Sequence, residues 1–66
     1  MDAARLIAMA EQIARAFAAQ GQDEAIRQTA QHIREFWDPR MKAAILAQDR
    51  GALSPVVAAV LERLGD

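Results

Sequence analysis

The 66-residue chain has no cysteine and no tyrosine, and only one tryptophan, one histidine and one serine. Each scarcity closes a route. Without cysteine there is no disulfide framework and no thiolate, and a lone histidine lacks the company that a four-ligand zinc site needs. A catalytic nucleophile is equally hard to assemble. Ser54 is the one serine, and no Asp or Glu lies at position 28 or 36, four residues either side of His32, so no acid–base constellation is assembled around the imidazole. Glycine-rich phosphate loops and carboxylate clusters at metal-ligand spacing are also missing. The chain therefore reads as a non-enzyme that binds no metal or cofactor of its own, with His32 as a structural residue and Met1, Met9 and Met41 as ordinary gap fillers.

A strong charge of one sign is absent too. Eight basic residues stand against nine acidic ones, for a formal net charge of −1 and a pI near 5.7. A dedicated nucleic-acid binder normally carries a strongly basic face, so no nucleic-acid partner is expected. The longest apolar runs, such as residues 56–61, fall far short of the roughly 20 residues that span a bilayer. The N-terminus lacks a basic region followed by an apolar block and a cleavage site. The expectation is a cytoplasmic protein with no membrane partner.

What is present is apolar and helix-forming. Of the hydrophobic residues, 16 are alanine and 19 are larger. Residues 1–66 allow one small domain, because a chain this short buries only about 60% of its unfolded surface. Alanine favours helix yet buries little area, so the core is thin. With disulfide and metal excluded, a partner, or self-association of the isolated chain, is the remaining support.

Apolar side chains recur at helical spacing in four stretches, and no stretch alternates with period two. The spacing predicts an all-α fold, a compact bundle of about four short helices. The first covers residues 2–19 with Leu6, Met9, Ala10, Ile13 and Phe17 on its apolar stripe, and Arg5, Glu11, Gln12 and Arg15 opposite. Gly21 suits the left-handed turn after a helix end, and Asp23 can cap the next start. The second helix runs from Glu24 to Trp37, with Ile26, Thr29, Ala30, Ile33, Phe36 and Trp37 at its apolar positions. At Asp38-Pro39 and Ser54-Pro55 an oxygen-bearing cap precedes a proline whose missing N–H is no loss in a first turn. These mark a third helix with Met41, Ala44 and Ile45 on one face and Gln48 at its edge, and a fourth with Val56, Val57, Val60, Leu61 and Leu64.

The stretch "HIREFWDPRM", residues 32–41, concentrates the scarcest residue types. Adjacent helical residues sit about 100° apart, so Phe36 and Trp37 are both core only if the helix end is enclosed from two sides. Trp37 reads either as a core ring or as a partly exposed interface anchor. Its surroundings are basic, with Arg27, Arg34, Arg40 and Lys42 against Glu35 and Asp38. They form either a solvated face with an Arg34–Asp38 i,i+4 pair, or guanidinium groups flanking an aromatic anchor on a docking surface.

Three segments occur in a familiar order: "MAEQIARAF" (9–17), "AQHIREFWDPRMK" (30–42) and "GALSPVVAAVLERL" (51–64). Over most of its length the chain resembles the delta subunit of NAD-dependent formate dehydrogenases, most specifically in the run from His32 through "FWDPRM". The resemblance implies a non-catalytic accessory subunit of a cytoplasmic complex that oxidises formate with NAD. In such a complex the large alpha subunit holds a molybdenum or tungsten pterin and iron–sulfur clusters, and flavin and NAD also belong to the complex. The small subunit would aid assembly, maturation or stability. The residues carried over as partner-binding are His32, Ile33, Phe36, Trp37, Asp38, Pro39, Arg40 and Met41. The alternative is a small helix-turn-helix DNA-binding module, which suits short helices joined by glycine-containing turns but not the charge.

Overall fold

The computed structural model describes residues 2–65. It contains four α-helices: α1 (Ala3–Phe17), α2 (Gln22–Phe36), α3 (Pro39–Leu46) and α4 (Pro55–Gly65), with 3-10 turns at Ala18–Gln20 and Arg50–Ala52. No strand occurs among the described residues, in line with the expected all-α bundle. Met1 lies outside the described residues, so its expected role as a gap filler is not addressed.

Three helix starts carry the capping chemistry that their residues dictate. The Asp2 carboxylate accepts from the Ala4 N–H at 3.0 Å, Asp38 from the Met41 N–H at 2.9 Å, and the Ser54 hydroxyl from the Val57 N–H at 3.1 Å. Each satisfies a donor that the first turn leaves without an intrahelical partner. The start of α2 differs from expectation. Asp23 is not its cap; the helix begins at Gln22, preceded by Gly21 at φ 99° and ψ 156°, with no side-chain cap. That backbone region is essentially restricted to glycine, and it is not the left-handed helical conformation that closes many helices. Asp23 and Glu24 occupy the first turn instead, where negative charge suits the positive end of the helix dipole.

The core is assembled from Leu6, Ala10 and Ala14 of α1, Ala30 and Ile33 of α2, Ile45 of α3, and Val57, Val60 and Leu61 of α4, with Trp37 closing one end. Ala10, Ala14, Ala25 and Ala30 are all buried, and their small side chains let neighbouring helices approach closely. This rotates α1 relative to the expected stripe. Ala14 enters the core, while Met9 stays 39% exposed at the edge and is not a core gap filler. Glu11, expected on the solvent side, is half-buried, and its carboxylate accepts from the Ser54 N–H at 2.9 Å, joining α1 to the start of α4. The apolar stripe of α4 follows the sequence pattern, with Val57, Val60 and Leu61 buried and Val56 and Leu64 packed against them.

Helix α1 runs antiparallel to α2, whereas α4 runs in the same direction as α2: Gln22, Ala25 and Val56 share one cleft, and Arg34 reaches Arg63 at the other end. Cationic side chains close the helix ends there. Arg34 Nη2 donates to the Arg63 carbonyl at 2.8 Å, and Lys42 Nζ donates to the Arg34 carbonyl at 3.0 Å. The Arg34–Asp38 pair, one of the two readings of these charges, does not form: Arg34 is held on the Arg63 carbonyl and Asp38 on the Met41 N–H. Arg50 serves the end of α3 in the same way, donating to the Leu46 and Gln48 carbonyls and pairing with Glu62 at 3.3 Å. Cations at carbonyl ends satisfy unpaired acceptors and oppose the negative end of the dipole.

Thr29 is fully buried, and its hydroxyl has no hydrogen-bond partner among the described residues. Thr29→Val keeps the branched shape and removes that unpaired group, so it is expected to stabilise the fold by roughly 1 kcal/mol in urea unfolding. Destabilisation would show that the hydroxyl is satisfied by a buried water. Asp38→Ala is expected to lose about 1 kcal/mol through its missing cap in the same assay. An unchanged midpoint would mean that the cap contributes nothing to the fold.

Candidate partner-docking surface

The corner between α2 and α3 is shaped by Pro39. Its ring disfavours helical geometry in the residue before it, and Asp38 is extended at φ −74° and ψ 167°. Trp37 has already left the helix, at φ −88° and ψ 137°, although its N–H still closes α2 by donating to the Ile33 carbonyl at 3.0 Å. The helix thus ends one residue before the Trp37 terminus that the spacing predicts. That single step separates the two rings. Trp37 turns inward and is only 5% exposed, which settles its two readings in favour of the core. Phe36 keeps its helical phase at the edge of the buried stripe and is 71% exposed, so the two rings are not both core. It packs on His32, one turn earlier, with ring centroids 4.9 Å apart and planes inclined by 42°.

The residues of this motif fall into layers. Ile33 is fully buried and Met41 is half-buried against the core, so neither forms the outer face. Ile33 sits on the buried stripe of α2, and Met41 packs against the core from the first turn of α3. His32 is half-buried, and Phe36, Asp38, Pro39 and Arg40 are exposed. The structure therefore brings His32 and Trp37 together in one feature, with Phe36 stacked on His32 beside it and Asp38, Pro39 and Arg40 following on the corner itself.

That feature is a groove of about 340 Å³ between α1 and the end of α2, lined by Met9, Gln12, Ile13 and Ala16 on one side and His32 and Trp37 on the other. Met9 and Phe36 are the two large hydrophobic side chains exposed among the described residues; Met9 lines the groove, and Phe36 lies outside its lining, stacked on His32. The α1 wall is absent from the sequence-based site. Its signal was a second set of positions, 5, 9, 12, 13 and 16, spaced by three and four beside the core stripe. Such a set looks like the margin of a core face until the rotation of α1 is known.

A second cleft, of about 360 Å³, lies toward the opposite end, where Ala14 and Arg15 of α1 face Gln22, Ala25 and Val56. On the exposed side of α2 near that end, hydrogen bonds from Arg27 and Gln28 hold the Glu24 carboxyl below its ordinary range, and the same contact raises the Arg27 guanidinium. Exposed pairs of this kind add little stability. Among the described residues, no group of three or more His, Cys, Asp or Glu is placed to hold a metal ion.

Compared with known proteins, the sequence matches, over residues 5–61, the family described as NADH-dependant formate dehydrogenase delta subunit FdsD. Comparisons with curated proteins and with solved structures gave no match.

The two adjacent rings are expected to differ sharply in their contribution to the fold. Trp37→Ala removes a buried aromatic and should lose about 3–5 kcal/mol, enough to unfold much of so small a chain. Phe36→Ala removes a largely solvated ring and should change stability by less than about 1 kcal/mol. Urea unfolding followed by circular dichroism checks both values. Equal losses would contradict the separation of the rings.

Proposed function

The chain belongs to the NADH-dependent formate dehydrogenase delta-subunit family, and on that premise we propose that it is a non-catalytic accessory subunit. It docks on the large catalytic (alpha) subunit through the corner between α2 and α3 and aids assembly, maturation or stability of the complex. The exposed Phe36 carries this reading. In a chain with few large apolar side chains, leaving a phenylalanine 71% exposed forgoes a burial worth roughly 1.5–3 kcal/mol. A partner that covers the ring recovers it. Aromatic and arginine side chains are also the types that dominate binding energy at interfaces, and Phe36 and Arg40 are both exposed here.

In this reading, partner chains hold the molybdenum or tungsten pterin, the iron–sulfur clusters, the flavin and the NAD. This chain contributes contact surface, and it works in the cytoplasm with its complex. No helix among the described residues is long and apolar enough to cross a membrane. An isolated delta chain would leave Phe36 and Met9 uncovered and would be prone to self-association. The helix-turn-helix alternative is weaker. A reading α3 would offer Arg40 and Lys42 to phosphate, but the Lys42 amine is held on the Arg34 carbonyl.

Arg40→Ala and Phe36→Ala test the docking face. Both are expected to keep the helical circular dichroism of the parent and to co-purify poorly with the large subunit. Losing one such anchor typically weakens binding by 2 kcal/mol or more, roughly thirtyfold. Parental co-purification by both folded variants would remove the corner as the docking surface.

A further inference from the structure

Charges of both signs gather at one end of the bundle. Five of the eight basic residues, Arg5, Arg34, Arg40, Lys42 and Arg63, fall at the end where α1 begins and where α2 and α4 finish. Arg34 and Lys42 are engaged on backbone carbonyls. Arg5 and Arg40 are exposed and make no hydrogen bond or ion pair among the described residues. Among the described residues the carboxylates at the same end are already engaged: Asp2 on the Ala4 N–H, Asp38 on the Met41 N–H, Glu35 on the Gln31 side-chain amide, and Glu62 on Arg50. The groove between α1 and the end of α2 has no carboxylate in its lining, although the chain as a whole is acidic. Arg5 lies on the α1 face that forms one groove wall, one turn before Met9, and Arg40 follows three residues after Trp37 of the other wall.

We propose that the occupant of this groove is an acidic segment of the large subunit, which inserts an apolar side chain between α1 and the α2 corner and sets carboxylates on Arg5 and Arg40. The proposal rests on the docking reading above and adds the chemistry of the partner. A void of about 150 Å³ already accommodates benzene, so an open groove of about 340 Å³ has room for a leucine, methionine or phenylalanine side chain. Beside it, Phe36 supplies a further apolar contact. Guanidinium groups without internal partners favour carboxylates, which they bind through two parallel hydrogen bonds as the interface excludes water. Self-association of the isolated chain would cover the apolar side chains but brings only the same surplus cations to the contact, so it leaves the arginines without the carboxylates that an acidic partner supplies. Nucleic acid would satisfy the arginines but leave the groove and Phe36 uncovered.

The test measures binding of the full delta chain to the purified large subunit by calorimetry, at roughly 50 and 500 mM salt so that screening changes severalfold. Four chains are compared: parent, Arg5→Glu/Arg40→Glu, Ala16→Met and Gln12→Glu. Ala16 and Gln12 are exposed, and both replacements are good helix formers, so thermal unfolding should match the parent. Ala16→Met fills the groove, whereas Gln12→Glu places a carboxylate in its wall with almost no change of shape. The parent is expected to weaken at high salt, the charge reversal to weaken at least about tenfold and lose that salt dependence, and each groove variant to weaken about tenfold. Should Ala16→Met unfold, Gln12→Glu alone decides the groove. Parental affinity in folded groove variants, or salt-independent binding by the parent, overturns the acidic-segment assignment and leaves the docking reading standing. A parent that does not bind the large subunit at either salt overturns both. Salt-sensitive binding of the parent to duplex DNA, without binding to the large subunit, would assign the cations to phosphate instead.

Discussion

The steric demand of Pro39 on the residue before it sets the geometry on which the rest of the molecule depends. Asp38 is driven into extended backbone, Trp37 leaves the helix with it, and α2 ends at Phe36. Had the helix run through Trp37, both rings would have competed for the two edges of one buried stripe. The break resolves this by sending one ring inward and leaving the other in solvent. Asp38 then caps α3, Lys42 of α3 closes the end of α2, and Arg34 of α2 closes the end of α4. One local backbone restriction thereby orders three helix termini at the same end of the bundle.

Alanine acts as the complementary constraint. Buried Ala10, Ala14, Ala25 and Ala30 bring the helices close, so a small chain makes a dense core from few large side chains. The same close approach turns α1 until Met9 lies at the margin and Ile13 and Ala16 form a wall facing His32 and Trp37. The groove is thus a by-product of alanine-mediated packing, and the corner supplies its aromatic border. In the proposed docking, a delta subunit made this way offers an apolar groove to a partner while remaining acidic as a whole. The unpaired Arg5 and Arg40 beside the groove, rather than net charge, would then select what approaches it.

Much of the fold was legible because its signals are local. Asp38-Pro39 and Ser54-Pro55 place an acceptor and a ring where a helix start needs them, whatever the tertiary context, and α4 carries valines and leucines on one face only. The run from His32 to Met41 was legible as the distinctive stretch, but the layering of its residues was not. Whether Phe36 or Trp37 is buried depends on a one-residue difference in where α2 stops, which periodicity does not resolve. Asp23 looked like a cap because an acid follows a glycine, yet Gly21 reaches a conformation that lets the helix start earlier. Arg34 looked like a partner for Asp38 four residues on, but a carbonyl 29 residues away at Arg63 holds it instead. The α1 wall was hidden for the same reason: an alanine stripe and a methionine stripe side by side become core and surface only once the other helices are in place.

Side-chain footprinting with hydroxyl radicals, on the delta chain alone and bound to the large subunit, most directly tests the claim that the corner splits its rings between core and docking face. In the free chain Phe36 and Met9 are expected to be oxidised readily and Trp37 to be protected, despite the high intrinsic reactivity of indole. In the complex Phe36 and Met9 should become protected as well. Oxidation of Trp37 in the folded free chain, or Phe36 and Met9 staying as reactive in the complex while Pro55 and Val56 of the opposite cleft become protected, would contradict it.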